Sequence, residues 1–383
     1  MPALTQMPWP EKRTFQRSLL HWFSRHQRDL PWRKNQDPYR IMVSEFMLQQ
    51  TRVETVLPYF DRFLKLFPTC TDLAQASLPK VLKVWAGLGY YARARHLHAA
   101  AQTIERDFNG NFPWKKNDLL RLPGFGPYTA GAVASIAFHE PVAALDGNVD
   151  RVFTRLLDLR GRESGVRQRK ILEEVVEKLI PRKRASAFNQ ALMDLGALIC
   201  IPLRPRCPSC PIKRFCTRQG AKGQKPSRTG PKFRKEVWAV ALTEHNGRFL
   251  LHRREGKGLL AGLWQFPTVA VTAGKDIARD RGKKEQEARE ALKKILEENF
   301  GVRIKIKCSL AVQEHRFTHI HLKMMPFSCS LVETIPVQKT RQQARWIKPS
   351  GLSRYPIAKA MQKMIVLLKN IHGDPPGSPH PHP

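Results

Sequence analysis

The sequence predicts a multidomain chain: an all-α domain that closes on a cysteine-rich loop, followed by an α+β domain. Helical apolar periodicity runs through residues 10 to 215, four of the seven cysteines crowd into 200–216, and short strand-like runs take over beyond residue 236. At 383 residues the chain is too long for one ordinary domain. The reading divides it at 1–217 (helical), 218–235 (linker), 236–367 (α+β) and 368–383 (disordered tail).

The helical part is built from segments such as "TFQRSLLHWFSRH", "VETVLPYFDRFLKLF", "LPKVLKVWAGL", "ARHLHAAAQTIERDF" and "RKILEEVVEKLI", punctuated by Pro and Gly. Within it, "SEFMLQQT" sets one carboxylate, Glu45, among Ile41, Met42, Phe46, Met47 and Leu48. An acid in that company is costly unless it is paired, neutral or at work in a reaction.

Further on, "LPGFGPYTAGAVASIAF" places Gly124 and Gly126 around Phe125, ahead of a helix expected to start near Tyr128 or Thr129. Such glycines let the chain turn sharply and aim helix N–H groups at an anion, so the segment suits one DNA phosphate. An ordinary helix–turn–helix connection would use the same two glycines. In "VAALDGNVDRVFTRLL", Asp146 precedes a helix expected near Val149, where it could serve simply as an N-cap. Paired with Glu45 it offers two carboxylates, one neutral to protonate and one ionised to stabilise an oxocarbenium ion, which is what glycosidic cleavage needs.

After the cysteines, residues 218 to 235 hold seven basic residues and no acid, with Gly and Pro throughout, which is linker chemistry. In the α+β part, "VWAVAL" and "RFLLHRR" flank Asn246-Gly247, a strong hairpin signal. Strand-like "RIKIKCSLAV", "HIHLKMMPFSCSLV" and "ARWIK" follow, with helical "KEQEAREALKKILEENF" before them.

Lys plus Arg number 66 against 32 Asp plus Glu, a net charge of +34 that calls for a polyanionic partner, nucleic acid first among them. No apolar run is long enough to span a bilayer, and the start "MPALTQMPWPEKR" lacks a signal-peptide core. A soluble cytoplasmic monomer without membrane contact, associated with a bacterial nucleoid, is the expectation. Cys200, Cys207, Cys210 and Cys216 are separated by six, two and five residues, a metal or cluster spacing rather than a disulfide framework. Four-thiolate zinc fits the chemistry of the ligands alone.

These motifs, with "DLPWRKNQDPYRIMVSEFMLQQTRVETVLPYF", "WAGLGYYARARHLH", "ALDGNVDRVFTR" and "NQALMDLGALIC", resemble the adenine DNA glycosylase branch of the helix-hairpin-helix superfamily. The resemblance runs from about Trp22 to Cys216, and through the second domain to near residue 365. It implies a helix-hairpin-helix glycosylase domain with a [4Fe–4S] cluster on the four cysteines, acting in base excision repair on double-stranded DNA with adenine opposite 8-oxoguanine or guanine. Carried over, Glu45 matches the general acid/base and Asp146 the carboxylate that stabilises the sugar cation, with Tyr128 and Asn148 in support. Trp32, Arg33 and Gln190 match adenine-pocket positions. Gln50, Thr51, Leu88 and Tyr90 match elements that wedge the duplex and touch the lesion strand. Where the endonuclease III branch has a lysine that forms a Schiff base, this chain has Tyr128, so base excision without efficient strand cleavage is implied.

The second domain resembles the Nudix-like domain that ends these glycosylases, through "GKGLLAGLWQFPTV" and the later strands. Counted back from Gly301, Lys294, Ile295, Glu298 and Asn299 stand where the pyrophosphatase signature wants Arg and three acids, so recognition rather than hydrolysis is implied. Phe317-Thr318-His319 matches the family's Phe-Ser-His loop that senses 8-oxoguanine, with threonine for serine. A thymine or uracil mismatch glycosylase would lack this second domain. A non-enzymatic iron–sulfur DNA-binding protein would not need both Glu45 and Asp146.

Overall fold

A computed structural model of the chain describes residues 9–159, 165–217, 234–255, 258, 260–271, 281–317, 319–335 and 343–371. Two compact units result: Met1–Ala76 with Ala92–Gly230, and Ser77–Tyr91 with Pro231–Pro383. In chain order the helices are α1 (Trp9–His26), α2 (Pro38–Leu48), α3 (Val53–Leu66), α4 (Cys70–Gln75), α5 (Leu78–Trp85), α6 (Ala92–Phe108) and α7 (Lys116–Leu119). They continue with α8 (Pro127–Phe138), α9 (Gly147–Leu156), α10 (Gly165–Leu179), α11 (Ala185–Asp194), α12 (Arg281–Phe300) and α13 (Lys359–Ile371). No helix among the described residues is long and apolar enough to cross a membrane.

The first unit is helical, and local chemistry sets its key boundaries. Helix α2 begins where Asp37 accepts hydrogen bonds from the amides of Tyr39 and Arg40, with Pro38 at the first helical position. A capping box between Thr69 and Asp72 starts α4. Helix α8 is short-chained along its buried face (Ala130, Gly131, Ala132, Ala134), which lets it run against α2 and α11. At Gly131 a β-carbon would fall 2.2 Å from the carbonyl oxygen of Ala143, so no larger residue fits that crossing. Helix α11 ends in a π-helical turn, Leu195–Ile199, which delivers the chain to Cys200.

The second unit is built on one sheet, with β1 (Arg234–His245), β2 (Arg248–Arg253), β3 (Trp264–Gln265), β4 (Thr268–Val271), β5 (Val302–Ser309), β6 (Gln313–Arg316), β7 (Ile320–Thr334) and β8 (Ala344–Ile347). Strand order is β3-β2-β1-β7-β5, with β4 on β1, β6 on β7 and β8 on β2; β1 and β7 run parallel. Asn246 and Gly247 both take positive φ, as a tight β1–β2 hairpin requires. Helix α12 lays Ala288, Leu292, Leu296 and Phe300 on Val237, Ala239, Ala241, Leu250 and Phe327 of the sheet. In place of an acidic metal-binding face, its last turns show Lys294 and Glu298 paired at 3.9 Å on the exposed side.

Several elements differ from the sequence reading. Arg234 and Lys235, expected to end the linker, already belong to β1, while 218–233 and the tail from His372 lie outside the described residues. Helix α13 has helical periodicity that the reading did not use. Residues Ser77–Tyr91 group with the second unit although they fall within the helical stretch of sequence, because contacts rather than chain order define a unit.

Candidate active site

A cavity of about 810 Å³ opens in the first unit, within the range of roughly 300–1,000 Å³ typical of small-molecule sites. Its walls include Trp32, Arg33, Glu45, Gln50, Thr51, Tyr128, Asp146, Asn148 and Gln190. Nine of the site residues expected from the sequence therefore converge, from the Pro31–Arg33 turn, α2 and the residues just after it, α8, the start of α9 and α11, as much as 158 residues apart (Gln190 against Trp32).

Glu45 is 5 % exposed. Burial pushes its carboxyl up to about 7; the Asp146 charge adds to this, and the Tyr128 hydroxyl and Arg33 act against it. Tyr128 donates to Glu45 Oε2 at 2.5 Å. Burial and the Glu45 and Asp146 charges hold the tyrosine pKa far above its ordinary value, so it remains a donor. Glu45 thus keeps its proton up to about pH 7, where an ordinary carboxyl has long lost it, and Oε1 is the oxygen left to carry that proton.

Asp146 is a different carboxylate. Its Oδ1 accepts from the amides of Asn148 (2.9 Å) and Val149 (2.7 Å), and its Oδ2 from Asn148 Nδ2 (2.7 Å). Burial outweighs these donors and the Arg151 charge, so its pKa stands above the ordinary carboxylate value. Three donors and a helix N-terminus favour the ionised form. The N-cap reading of Asp146 is correct, and the same bonds make it a held carboxylate at the wall of the cavity. Helix α9 starts at Gly147, two residues before the sequence reading placed it.

Residues that the sequence did not single out fix this arrangement. Asp194, fully buried, is gripped by Arg33 (Nη1 2.7 Å, Nη2 3.0 Å) and by Arg28 (Nε 2.8 Å). Burial alone would push its pKa up, but the two guanidiniums outweigh it and hold the carboxyl below the usual range. Arg33 therefore reaches the cavity as one arm of a buried clamp, beside Trp32, whose ring meets Phe60 edge to face. Buried Arg93 donates to the carbonyls of Phe46 and Met47, to that of Gln49, and to Thr51 Oγ1. It thereby caps the C-terminus of the Glu45 helix and holds the turn in which Gln50 takes φ +56°. Gly196 stands where a β-carbon would come 2.6 Å from Asn148 Cβ, so the π-helical turn presses directly on the support of Asp146. Asn148 Oδ1 in turn accepts from Arg151.

The two hairpin glycines prove unlike. Gly124 takes φ +77°, and a β-carbon there would lie 2.4 Å from His96 Cβ. Gly126 is extended, N-caps α8 without a side-chain bond, and faces open space. The first makes the turn; the second leaves the helix N–H groups uncovered, as an anion site needs. In the second unit Leu88 is buried, while Tyr90 is partly exposed at φ +48°.

Residues 43–178 match the HhH-GPD superfamily of base excision DNA repair proteins, and residues 238–367 match the NUDIX domain. The adenine DNA glycosylase of Rattus norvegicus is 32% identical over 408 residues, spanning 92% of this chain and 77% of its own length. That of Buchnera aphidicola subsp. Schizaphis graminum is 31% identical, spanning 93% of this chain and 99% of its own. The chain belongs to the adenine DNA glycosylase family. A solved thermostable thymine-DNA glycosylase is 30% identical with a TM-score of 0.51, but 97% of that chain is matched by 55% of this one. The glycosylase thus carries a whole further domain beyond that likeness, as the sequence reading required of an adenine enzyme.

The cysteine loop of the glycosylase follows the π-helical turn. Cys200, Cys207, Cys210 and Cys216 form no disulfide and are half-buried. Burial pushes the Cys210 thiol up to about 11, and the other three cysteines push the same way. Arg155 donates to Cys200 Sγ at 3.2 Å and to the Cys200, Ile201 and Pro202 carbonyls, fastening the loop to α9. Among the described residues no three His, Cys, Asp or Glu side chains gather to hold a single metal ion. Arg204, Arg206, Lys213 and Arg214 all lie exposed on the loop.

In the Nudix-like unit, Phe317 N–H donates to the Ile320 carbonyl at 2.8 Å and closes the β6–β7 turn. Phe317 is half-buried and His319 exposed; Thr318 lies outside the described residues.

Proposed function

We propose that the protein excises adenine mispaired with 8-oxoguanine or guanine in double-stranded DNA, acting as a monomer, by flipping the base into the Glu45 cavity and hydrolysing its glycosidic bond. The observation that carries this reading is a buried glutamic acid with its pKa raised to about 7 beside a multiply bonded aspartate in one cavity. Glu45 gives its proton from Oε1 to the departing adenine, while Tyr128 keeps Oε2 occupied and the carboxyl oriented. As the glycosidic bond lengthens, positive charge grows on the sugar. Asp146, held from behind by Asn148 and Val149, is the anion that faces it. The ionised Glu45 can then take a proton from the attacking water. Tyr128 has no amine with which to trap the sugar, so strand cleavage is not part of the reaction.

The four cysteines fit a [4Fe–4S] cluster, one thiolate to each iron, which would brace the cationic loop against DNA and supply no step of the excision. The Phe317–Thr318–His319 turn is the reader of 8-oxoguanine: an exposed imidazole and a phenyl at a hairpin tip can bond to and stack on a base. The test is a panel of duplexes with adenine opposite 8-oxoguanine, guanine, cytosine or thymine, and thymine opposite guanine, incubated with the protein and then treated with alkali. Cleavage at adenine opposite 8-oxoguanine and guanine, dependent on alkali, is expected. Release of thymine, or strand cleavage without alkali, would overturn the reading.

A further inference from the structure

His315 lies on β6 two residues before Phe317, which directly follows the last residue of the strand, Arg316. The His315 and Phe317 rings meet edge to face, with centroids 4.5 Å apart and planes at 69°. This contact directs the positive edge of one ring at the negative face of the other and selects one orientation. Without it, a phenyl at the open end of a hairpin could turn among its staggered rotamers.

The surroundings hold His315 in turn. It is half-buried, opposite Leu322 of β7 in the strand register. Lys363 of α13 donates its ammonium to the Glu314 carbonyl and so ties the helix to β6. The neighbouring Glu314 carboxylate is taken up by His321 at 3.0 Å and Lys323 at 3.1 Å. Burial first, then the charges of Lys363 and Lys359, hold the His315 imidazole below its ordinary pKa, so it packs as a neutral ring.

We infer that His315 is a positioning residue for lesion discrimination: its ring sets the plane of Phe317, and through it the preference for 8-oxoguanine over guanine, without itself touching DNA. This rests on the reading of the Phe317–Thr318–His319 turn as the lesion sensor. A base stacks well only on a ring already turned to receive it, so a contact that orders the free protein strengthens binding without adding to the interface.

The experiment compares single-turnover excision of adenine opposite 8-oxoguanine and opposite guanine, using full-length protein and variants at both positions. His315→Ala is expected to lower the ratio of the two rates by about three- to ten-fold, the size of one aromatic pair. Phe317→Ala should lower it at least as far, and the double variant no further than Phe317→Ala alone. His315→Phe, which restores a ring, should return the ratio to within about twofold of the unaltered protein. An unaltered far-UV circular dichroism spectrum in each variant shows that it is folded. If Phe317→Ala leaves the ratio unchanged, the turn is not the sensor and both readings fall. If Phe317→Ala lowers it but His315→Ala does not, or the two losses multiply in the double variant, the positioning role alone is overturned.

Discussion

In the cavity, Glu45 is 5 % exposed and bonded to Tyr128, Asp146 accepts three donors, and Asp194 behind them is fully buried between two arginines. At the β6–β7 tip, His319 is exposed and Phe317 is half-buried, its ring against His315. Chemistry on a glycosidic bond needs a proton held where water would take it, so the cavity spends burial on raising one pKa. Reading a base needs groups that a duplex can reach, so the hairpin leaves them at the surface. The chain therefore buries the polar groups of the cavity and leaves those of the hairpin, the proposed base reader, at the surface.

The most disruptive way to probe the buried half is Asp194→Asn. It would leave Arg28 and Arg33 facing a neutral amide and cost about 3–5 kcal/mol of stability, as the loss of one member of a buried charged set does. Thermal or urea unfolding measures this, and a loss under 1 kcal/mol would mean the clamp is not structural. A second substitution should act in the opposite direction. The folded protein keeps the Glu45 proton to about pH 7, whereas an unfolded chain releases it near the ordinary 4.5. The folded state therefore holds the extra proton in between, and stability falls as pH rises from about 4.5 through about 7. Glu45→Gln removes that cost. It should stabilise the protein by up to about 3 kcal/mol above pH 7 and by nothing below pH 4.5, while abolishing excision. A pH-independent effect on unfolding would place the Glu45 carboxyl at its ordinary pKa.

The smallest effect separates the two hairpin glycines. Gly124→Ala meets both the positive φ and the His96 contact, and should cost about 2 kcal/mol or more of stability. Gly126→Ala has space and an extended backbone, so it should fold normally and weaken duplex binding by only a few-fold, through its position over the α8 N-terminus. Equal unfolding midpoints for the two variants would refute the distinction.

Glu45 and Asp146, the residues proposed to do the chemistry, stand out locally in the sequence, as an acid in an apolar helix and an aspartate before a helix start, whereas Tyr128 is reached through the family resemblance. The ones that hold them do not stand out. Asp194 lies 166 residues from Arg28 and looks like any polar residue in "ALMDLGAL", since nothing in its neighbourhood announces two distant arginines. Arg93 sits in an ordinary helical run and shows its purpose only when α6 brings it to the end of α2. The grouping of Ser77–Tyr91 with the second unit is likewise a matter of contacts that periodicity does not encode. That grouping also makes point substitutions a cleaner probe than truncation, which would strip those residues of the rest of their unit.

The central claim is that Glu45 is the working acid and works because it is neutral. Single-turnover excision of adenine opposite 8-oxoguanine, followed between about pH 5 and 9, tests it most directly. The rate should hold on the acid side and fall about tenfold per pH unit above the Glu45 pKa of about 7. A rate that stays level or rises through about pH 8 to 9 would contradict it.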